Sequence, residues 1–374
     1  MADRSASVVV IGAGLMGSAS TLALARRGHD VLTLEARVPG HREGSSHGST
    51  RIVRRTYLQS HYLEMTGRAF ELWRDLEQLA GTRLLTMTGA LEYGSGRDPR
   101  RYCEALAAAG VPCELLTPRA AVERWPQVRL TGEVAYFPEA GVIDPELVVA
   151  ESLRLARDLG ARVEHETPVL AVEVEGGGVR LETAAGSVRA GVVVVAAGPW
   201  LGPLLGDVVD LPPLTVTQQQ VFHFAPTEAA RTAGWPAPWP VVVYGAGGTN
   251  VYALPGGRDG IAEGNVKIAE HGPGPVTTAV GRDGRIDPAG RRRVIEYVRE
   301  AWPGLDPEPT AEATCLYTWT ADEDFILDRT GSLVVCSPCS GHGAKFTPLV
   351  GEWVADLVEG RPLPYGDFGL ERFR

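Results

Sequence analysis

Lysine is nearly absent from this chain. Of its 36 basic residues only Lys267 and Lys345 are lysine; every other one is arginine. Arginine is a planar fork that stays charged, whereas lysine is a compact charge whose pKa moves readily on burial. A chain that uses arginine for ordinary surface charge has two places where it does not. The bland account of both is chance survival on a solvated face. Long apolar runs are missing too: no stretch of about 18 apolar residues exists, so no membrane span is expected. There is no basic excess. The formal charge is −10, and the cluster Arg291-Arg292-Arg293 reads as the solvated start of a helix, so nucleic acid is not an expected partner. The five cysteines, 103, 113, 315, 336 and 339, are few and odd in number. The first strand begins within a few residues of Met1 and leaves no room for a signal peptide. The chain is therefore read as cytoplasmic, and disulfides are not expected. Cys336-Ser-Pro-Cys339 has redox-motif spacing but lacks a thioredoxin context and a second pair for zinc. It reads as two buried thiols.

What is present suits a large soluble globular protein. A length of 374 residues fits two domains, or one domain with an insertion, and 44% apolar with 22% charged residues is ordinary. Residues 6–11 are β-branched and apolar. A glycine turn and a small-residue helix follow, stopping near Gly28, and VLTLEA (31–36) is a second strand. That order is a βαβ unit. Helices are expected over 61–80, 99–109 and 287–301, and within GVIDPELVVAESLRLARDLGARV. VRAGVVVVAAGPW (188–200) is a buried strand entering a turn. Short alternating strands fill 213–268 and predict an antiparallel sheet. The C-terminal stretch is strand, glycine loop, helix. Dinucleotide-type elements thus stand at both ends and near 190. The fold expected is α/β, a Rossmann-like domain from 1–82, 145–212 and 320–374, with an inserted α+β domain from 83–144 and 213–319 built on an antiparallel sheet.

Gly12-Ala13-Gly14-Leu15-Met16-Gly17 is GxGxxG. Glycine serves the tight turn, the approach of backbone to pyrophosphate, and helix–strand packing; the helix N-terminus then faces the phosphates. Glu35 ends the next strand, where a carboxylate can accept ribose hydroxyls. The alternative is a glycine turn that merely packs a helix on a sheet. This unit alone does not separate NAD from FAD.

Several blocks together resemble the monomeric sarcosine oxidase and N-methyl amino acid oxidase family, within the FAD-dependent amine and D-amino-acid oxidases. They are GAGLMG with Glu35, SSHGSTRIVRRTY (45–57), NVKIAEH (265–271), TCLYTWTADEDF (314–325) and SGHGAKF (340–346). They run nearly the length of the chain in the family's order. The resemblance implies FAD held at Gly12, Gly14, Gly17 and Glu35, an inserted substrate domain, and a monomer. It implies that Cys315 joins the flavin through a thioether, where the plain alternative is a small buried core residue. Lys267 matches a lysine placed against the flavin that helps oxygen accept electrons. Fixed positive charge there would stabilise the anion that develops. Lys345 and Arg54 match a pair that clamps the substrate carboxylate. Lys345 follows Gly341-His342-Gly343 at an expected helix N-terminus, which also favours negative charge on the flavin. His47, Thr50 and Arg51 match residues along the flavin ring. Tyr317 and Tyr252 match pocket hydroxyls, and His271 a histidine beside them.

The activity this implies is oxidation of the C–N bond of a small secondary-amine amino acid to an imine, with oxygen reduced to hydrogen peroxide. Trp319 replaces the family's Asn, and Cys339 and Ala344 replace larger aromatics, which points toward a substrate bulkier than sarcosine or a cyclic imino acid. The competing readings are an FAD-dependent dehydrogenase with another electron acceptor, an NAD-dependent dehydrogenase, and a nucleotide-binding regulator without catalysis.

Overall fold

In a computed structural model that describes residues 4–234, 239–272 and 274–374, the chain folds around two large β-sheets and one small one. At the centre of the first, Arg4–Ile11 lies parallel to Val31–Leu34 on one side and to Gly186–Val195 on the other. Gly186–Val195 pairs in parallel with Leu333–Ser337. The start, middle and end of the chain therefore meet in one sheet. These strands read as continuous β-branched runs because both faces are covered: Val9, Val10, Val194 and Val334 are fully buried. Helix Leu15–Arg26 covers one face and is buried nearly all round, so it shows no single apolar stripe. It packs so tightly on helix Thr347–Val358 that a Cβ on Gly351 would stand 2.6 Å from the Ala19 carbonyl oxygen.

The second sheet has nine strands. Thr215–Phe224 runs antiparallel to both Ala311–Trp319 and Val266–Glu270. One pair departs from the antiparallel expectation: Val241–Ala246 runs parallel to Ala90–Tyr93. These strands come from distant parts of the chain, so no hairpin turn dictates their direction. The small sheet sets Arg51–Arg54 and Leu85–Met87 against Ala140–Ile143.

The expected helices form as Ser60–Ala80, Pro99–Ala108, Pro145–Asp158 and Pro288–Ala301. The last three start alike. Asp98, Asp144 and Asp287 accept backbone N–H groups of the first turn, and proline follows where no donor is needed. Arg291-Arg292-Arg293 does sit in the opening turns of the last.

The cysteines correct one expectation. Cys103 and Cys113 form a disulfide, with Cα atoms 5.3 Å apart. The chain reverses between helix Pro99–Ala108 and strand Glu114–Leu116 and brings the two thiols within bridging range. Spacing alone does not reveal such a pairing. Cys315, Cys336 and Cys339 are free thiols. Among the described residues no helix is long and apolar enough to cross a membrane. No group of three or more His, Cys, Asp or Glu among them could hold a metal ion. Reduction of the denatured protein is expected to raise the titratable thiols by two; an unchanged thiol count would remove the bridge.

Candidate active site

A cavity of about 800 Å³ follows the C-terminal ends of the parallel strands, where open α/β sheets bind their ligands. Gly12 and Gly14 line it, and nothing larger fits at any glycine of the turn. Gly12 has φ +96°, and a Cβ there would lie 2.6 Å from the Ala196 carbonyl oxygen. A Cβ on Gly17 would lie 1.8 Å from the Gly12 carbonyl oxygen, and one on Gly14 2.8 Å from Ser46 Oγ. The helix that starts at Leu15 brings its N-terminus to the cavity, where the Leu15 N–H donates to Ser46 Oγ at 3.0 Å; a helix N-terminus in that place suits a phosphate. Glu35 is buried and lines this cavity. It accepts the Ala13 N–H at 2.7 Å and the Arg37 N–H at 2.9 Å, so it first ties the glycine turn to the strand end. A carboxylate has further lone pairs for a ribose.

A second cavity of about 440 Å³ adjoins it. His47, Arg51, Tyr317, Gly341, His342 and Ala344 line both. Arg51 folds the loop on one wall, donating to the carbonyls of Thr50, Ser45 and His47 at 2.8, 3.0 and 2.8 Å. Two buried atoms of this loop, Thr50 Oγ1 and His47 Nε2, have no hydrogen-bond partner among the described residues. Burial, then the Arg51 charge, pushes the His47 pKa down to about 3, so the ring is neutral.

Lys267 lies across from this loop, 3% exposed, and Nζ donates to the Thr50 carbonyl at 2.8 Å. Burial, reinforced by Arg51, lowers its pKa to about 7. Cys315 is buried on the strand Ala311–Trp319, and burial raises its thiol pKa against the pull of Arg51 and Lys267. Burial likewise holds the Tyr317 phenol well above its usual range and takes Tyr252 to about 12. His271 sits 6.5 Å from Tyr252 and 6.3 Å from Tyr317, ring centre to ring centre. Gly341, at φ +74°, lets those rings close in: a Cβ there would meet Tyr317 at 2.8 Å and His271 at 3.1 Å. At Gly343 a Cβ would meet the Pro338 carbonyl oxygen at 1.7 Å.

Lys345 is 6% exposed. Its Nζ donates to Tyr57 Oη at 3.0 Å and to the His342 carbonyl at 2.6 Å. Burial, then the charge of Arg54, holds its pKa well below the ordinary lysine range. Arg54 itself donates to Glu92 at 2.8 Å, and Glu92 is 1% exposed. The other Glu92 oxygen faces Arg97 Nε at 3.2 Å. Burial, then Arg54, Lys345 and Arg97 together, lowers the His271 pKa to about 4. The residues the sequence singles out thus gather along two joined cavities.

Sequence reasoning missed Tyr57, His342, Ser46, Glu92 and Arg97. Tyr57 lies inside the SSHGSTRIVRRTY block but carries no charge to draw notice. Glu92 left a readable signal, a lone carboxylate in the apolar strand Ala90–Tyr93. Arg97 left none. Of the three departures, Trp319 is fixed by its Nε1 donating to Thr217 Oγ1 at 2.7 Å, with its ring 5.6 Å from Tyr317. Cys339 Sγ accepts the Thr318 N–H at 3.2 Å.

A model of FAD dependent oxidoreductases matches residues 7–357. The chain belongs to this family. Curated full-length relatives narrow the placing. The monomeric sarcosine oxidase of Streptomyces avermitilis is 34% identical, the match covering 94% of this chain and 93% of that protein. The N-methyl-L-tryptophan oxidase of Yersinia pestis is 30% identical over 98% of this chain and 99% of its own. Among solved structures, NikD, an amino acid oxidase of nikkomycin biosynthesis, superposes with a TM-score of 0.85 at 25% identity, covering 99% and 97% of the two chains. The resemblance drawn from the sequence blocks holds, and the protein is a flavin-dependent amine oxidoreductase. The nicotinamide and non-catalytic readings give way. The residues fit FAD: the glycine-lined cavity at a helix N-terminus and the orphaned Thr50 and His47 atoms suit a dinucleotide continuing into the second cavity.

Gly17→Ala is expected to destabilise the cofactor-free protein by about 1–3 kcal/mol, because the new methyl meets backbone that cannot swing aside. Thermal unfolding that matches the parent would contradict this close packing.

Proposed function

We propose that this protein is an oxidase of secondary-amine amino acids, an N-methyl or cyclic imino acid, producing an imine and hydrogen peroxide. The reading rests on one observation: two lysines, the only two in the chain, are buried in the walls of one cavity that adjoins a dinucleotide-type site. The first sheet, with 1–82, 145–212 and 320–374, serves FAD, and the second, with 83–144 and 213–319, serves the substrate. Gly12, Gly14, Gly17 and Glu35 would hold the adenosine diphosphate end, and His47, Thr50, Arg51, Gly343 and Lys345 the ring. Bound FAD supplies the two-electron acceptor for C–N oxidation and the route of those electrons to oxygen. Cys315 would attach it covalently; its thiol is buried, and the charges of Arg51 and Lys267 favour the thiolate.

The chain's own groups do the positioning. Arg54 and Lys345 take the substrate carboxylate, and Nζ of Lys345 holds a proton more firmly once that anion arrives. Tyr252, Tyr317 and His271 enclose the amine end, with Gly341 leaving them room. The neutral His271 adds no charge that would repel an amine. Burial of the walls excludes water, which strengthens each charge within. Lys267 places a positive charge where oxygen gains electrons. The relatives named monomeric support a monomer here.

Lys267 generates a pH dependence. Its charge is present below about pH 7 and lost as pH rises through that value. The rate of reaction with oxygen is therefore expected to fall as pH rises above about 7, and Lys267→Met to lower it roughly 10²–10³-fold and flatten the profile. Stopped-flow reoxidation of substrate-reduced protein measures both; an unaltered rate in Lys267→Met would contradict the oxygen role. The wider reading is tested by bleaching of the yellow protein with a panel of N-methyl and cyclic amino acids while peroxide is followed. Bleaching without peroxide would leave an amine dehydrogenase, and no bleaching by any of them would overturn the reading.

A further inference from the structure

The proposed carboxylate clamp explains Arg54 and Lys345. It leaves Arg97 unexplained. This side chain is 21% exposed, too buried for a solvated surface charge, and it lines the smaller cavity. Its position is built. The Gly96 N–H donates to the Gly245 carbonyl at 2.8 Å and the Arg97 N–H to the Gly94 carbonyl at 2.9 Å, so the loop is pinned to the edge of strand Val241–Ala246. Gly245 leaves the face of that strand bare: a Cβ there would come 3.2 Å from both Cγ and Cδ of Arg97. Glycine at 245 gives the stem room that a larger residue would crowd. The guanidinium at its end is not saturated. Nε stands 3.2 Å from Glu92 Oε1, but neither atom has a hydrogen-bond partner among the described residues.

The charges do not balance either. Arg54 and Arg97 share the single buried carboxylate of Glu92, one oxygen each. Lys345 is the third cation, and all three bear on the one His271 ring. The other acids on the cavity wall are engaged elsewhere. Asp322 binds Arg372 at 2.8 Å and Glu312 binds Arg291 at 2.6 Å; Asp259 and Asp324 are carboxylates too, but they bear on Lys267 and Tyr62, not on the group around His271; Glu323 is exposed. Glu92 offsets one of the two guanidinium charges. A substrate's α-carboxylate offsets one more. A positive charge is left over in a place poor in water, which is costly unless it too meets an anion.

We propose that Arg97 makes this a site for a secondary-amine amino acid with a second carboxylate. Arg54 and Lys345 hold the α-carboxylate, and Arg97 receives the acidic side chain through its unused donors. A planar fork suits that task, since it meets a carboxylate with two parallel N–H groups. This rests on the secondary-amine reading for the chemistry, but the preference for a dianion stands or falls by itself.

The test separates the two. On the flavin-loaded protein, calorimetric titration compares succinate and glutarate with butyrate and valerate, none of which can be oxidised as an amine. Flavin bleaching is followed in parallel with N-methyl-L-aspartate, N-methyl-L-glutamate, N-methyl-L-norvaline and sarcosine. The dicarboxylates are expected to bind on the order of tenfold tighter or more, the worth of a charged hydrogen-bonded pair. Arg97→Gln should bring the ratio close to one, while Arg97→Lys, which keeps the charge and loses the fork, should retain part of it. Equal binding of mono- and dicarboxylates by the parent protein would overturn the inference, whichever amines bleach the flavin. A clear dicarboxylate preference with no bleaching by any amine would uphold the dianion site and remove the secondary-amine reading instead.

Discussion

Two buried ammonium groups that hydrogen-bond to no carboxylate among the described residues set the terms for the rest of this molecule. Lys267 and Lys345 rest on carbonyl and hydroxyl oxygens only. A charge taken out of water with no counterion is expensive, and the cheap response is to give up the proton. Both lysines have lowered pKa values for that reason, burial first and a neighbouring arginine second. The pocket is thus poised: an anion entering it gains a partner, and the lysine regains its charge. Such an arrangement favours ligand binding over the stability of the unliganded fold.

The surroundings follow from that constraint. His47, His271 and His342 are all held neutral near this positive wall, by burial first and by the nearby cations second. They can line the pocket without adding charge. Glycines stand where the backbone must come close, at Gly12 and Gly17 under the dinucleotide cavity and at Gly341 between Tyr317 and His271. Glu92 is a buried acid set between Arg54 and Arg97, and it fixes Arg54 in place. The two sheets carry this wall between them, because strand Val266–Glu270, strand Ala311–Trp319 and the loop after Leu333–Ser337 all end at the joined cavities.

Much of this was readable from residues alone. The glycine turn with Glu35, the three Asp-Pro helix starts and the apolar strands 6–11 and 188–195 each state a local rule that the fold obeys. The scarcity of lysine was the sharpest functional signal, since it marked the two positions where a movable charge is wanted. What could not be read depends on distant chain segments meeting. The parallel pairing of Val241–Ala246 with Ala90–Tyr93, the Cys103–Cys113 bridge, and Arg97 lying over Gly245 all arise from tertiary contact. Glu92 lay between: a carboxylate in an apolar strand announces a buried partner, but not which one.

The claim that these lysines wait for anions has a direct measurement. An unbuffered solution of the protein is held in a pH-stat at a series of pH values between about 6 and 10 and titrated with a simple carboxylate such as butyrate, and acid consumption is recorded as the site fills. The account predicts uptake of a proton on binding, because a carboxylate beside Lys345 restores its affinity for one, and predicts loss of that uptake in Lys345→Met. Binding of butyrate with no proton taken up by the parent protein would contradict it, since the ammonium group would then have been charged all along.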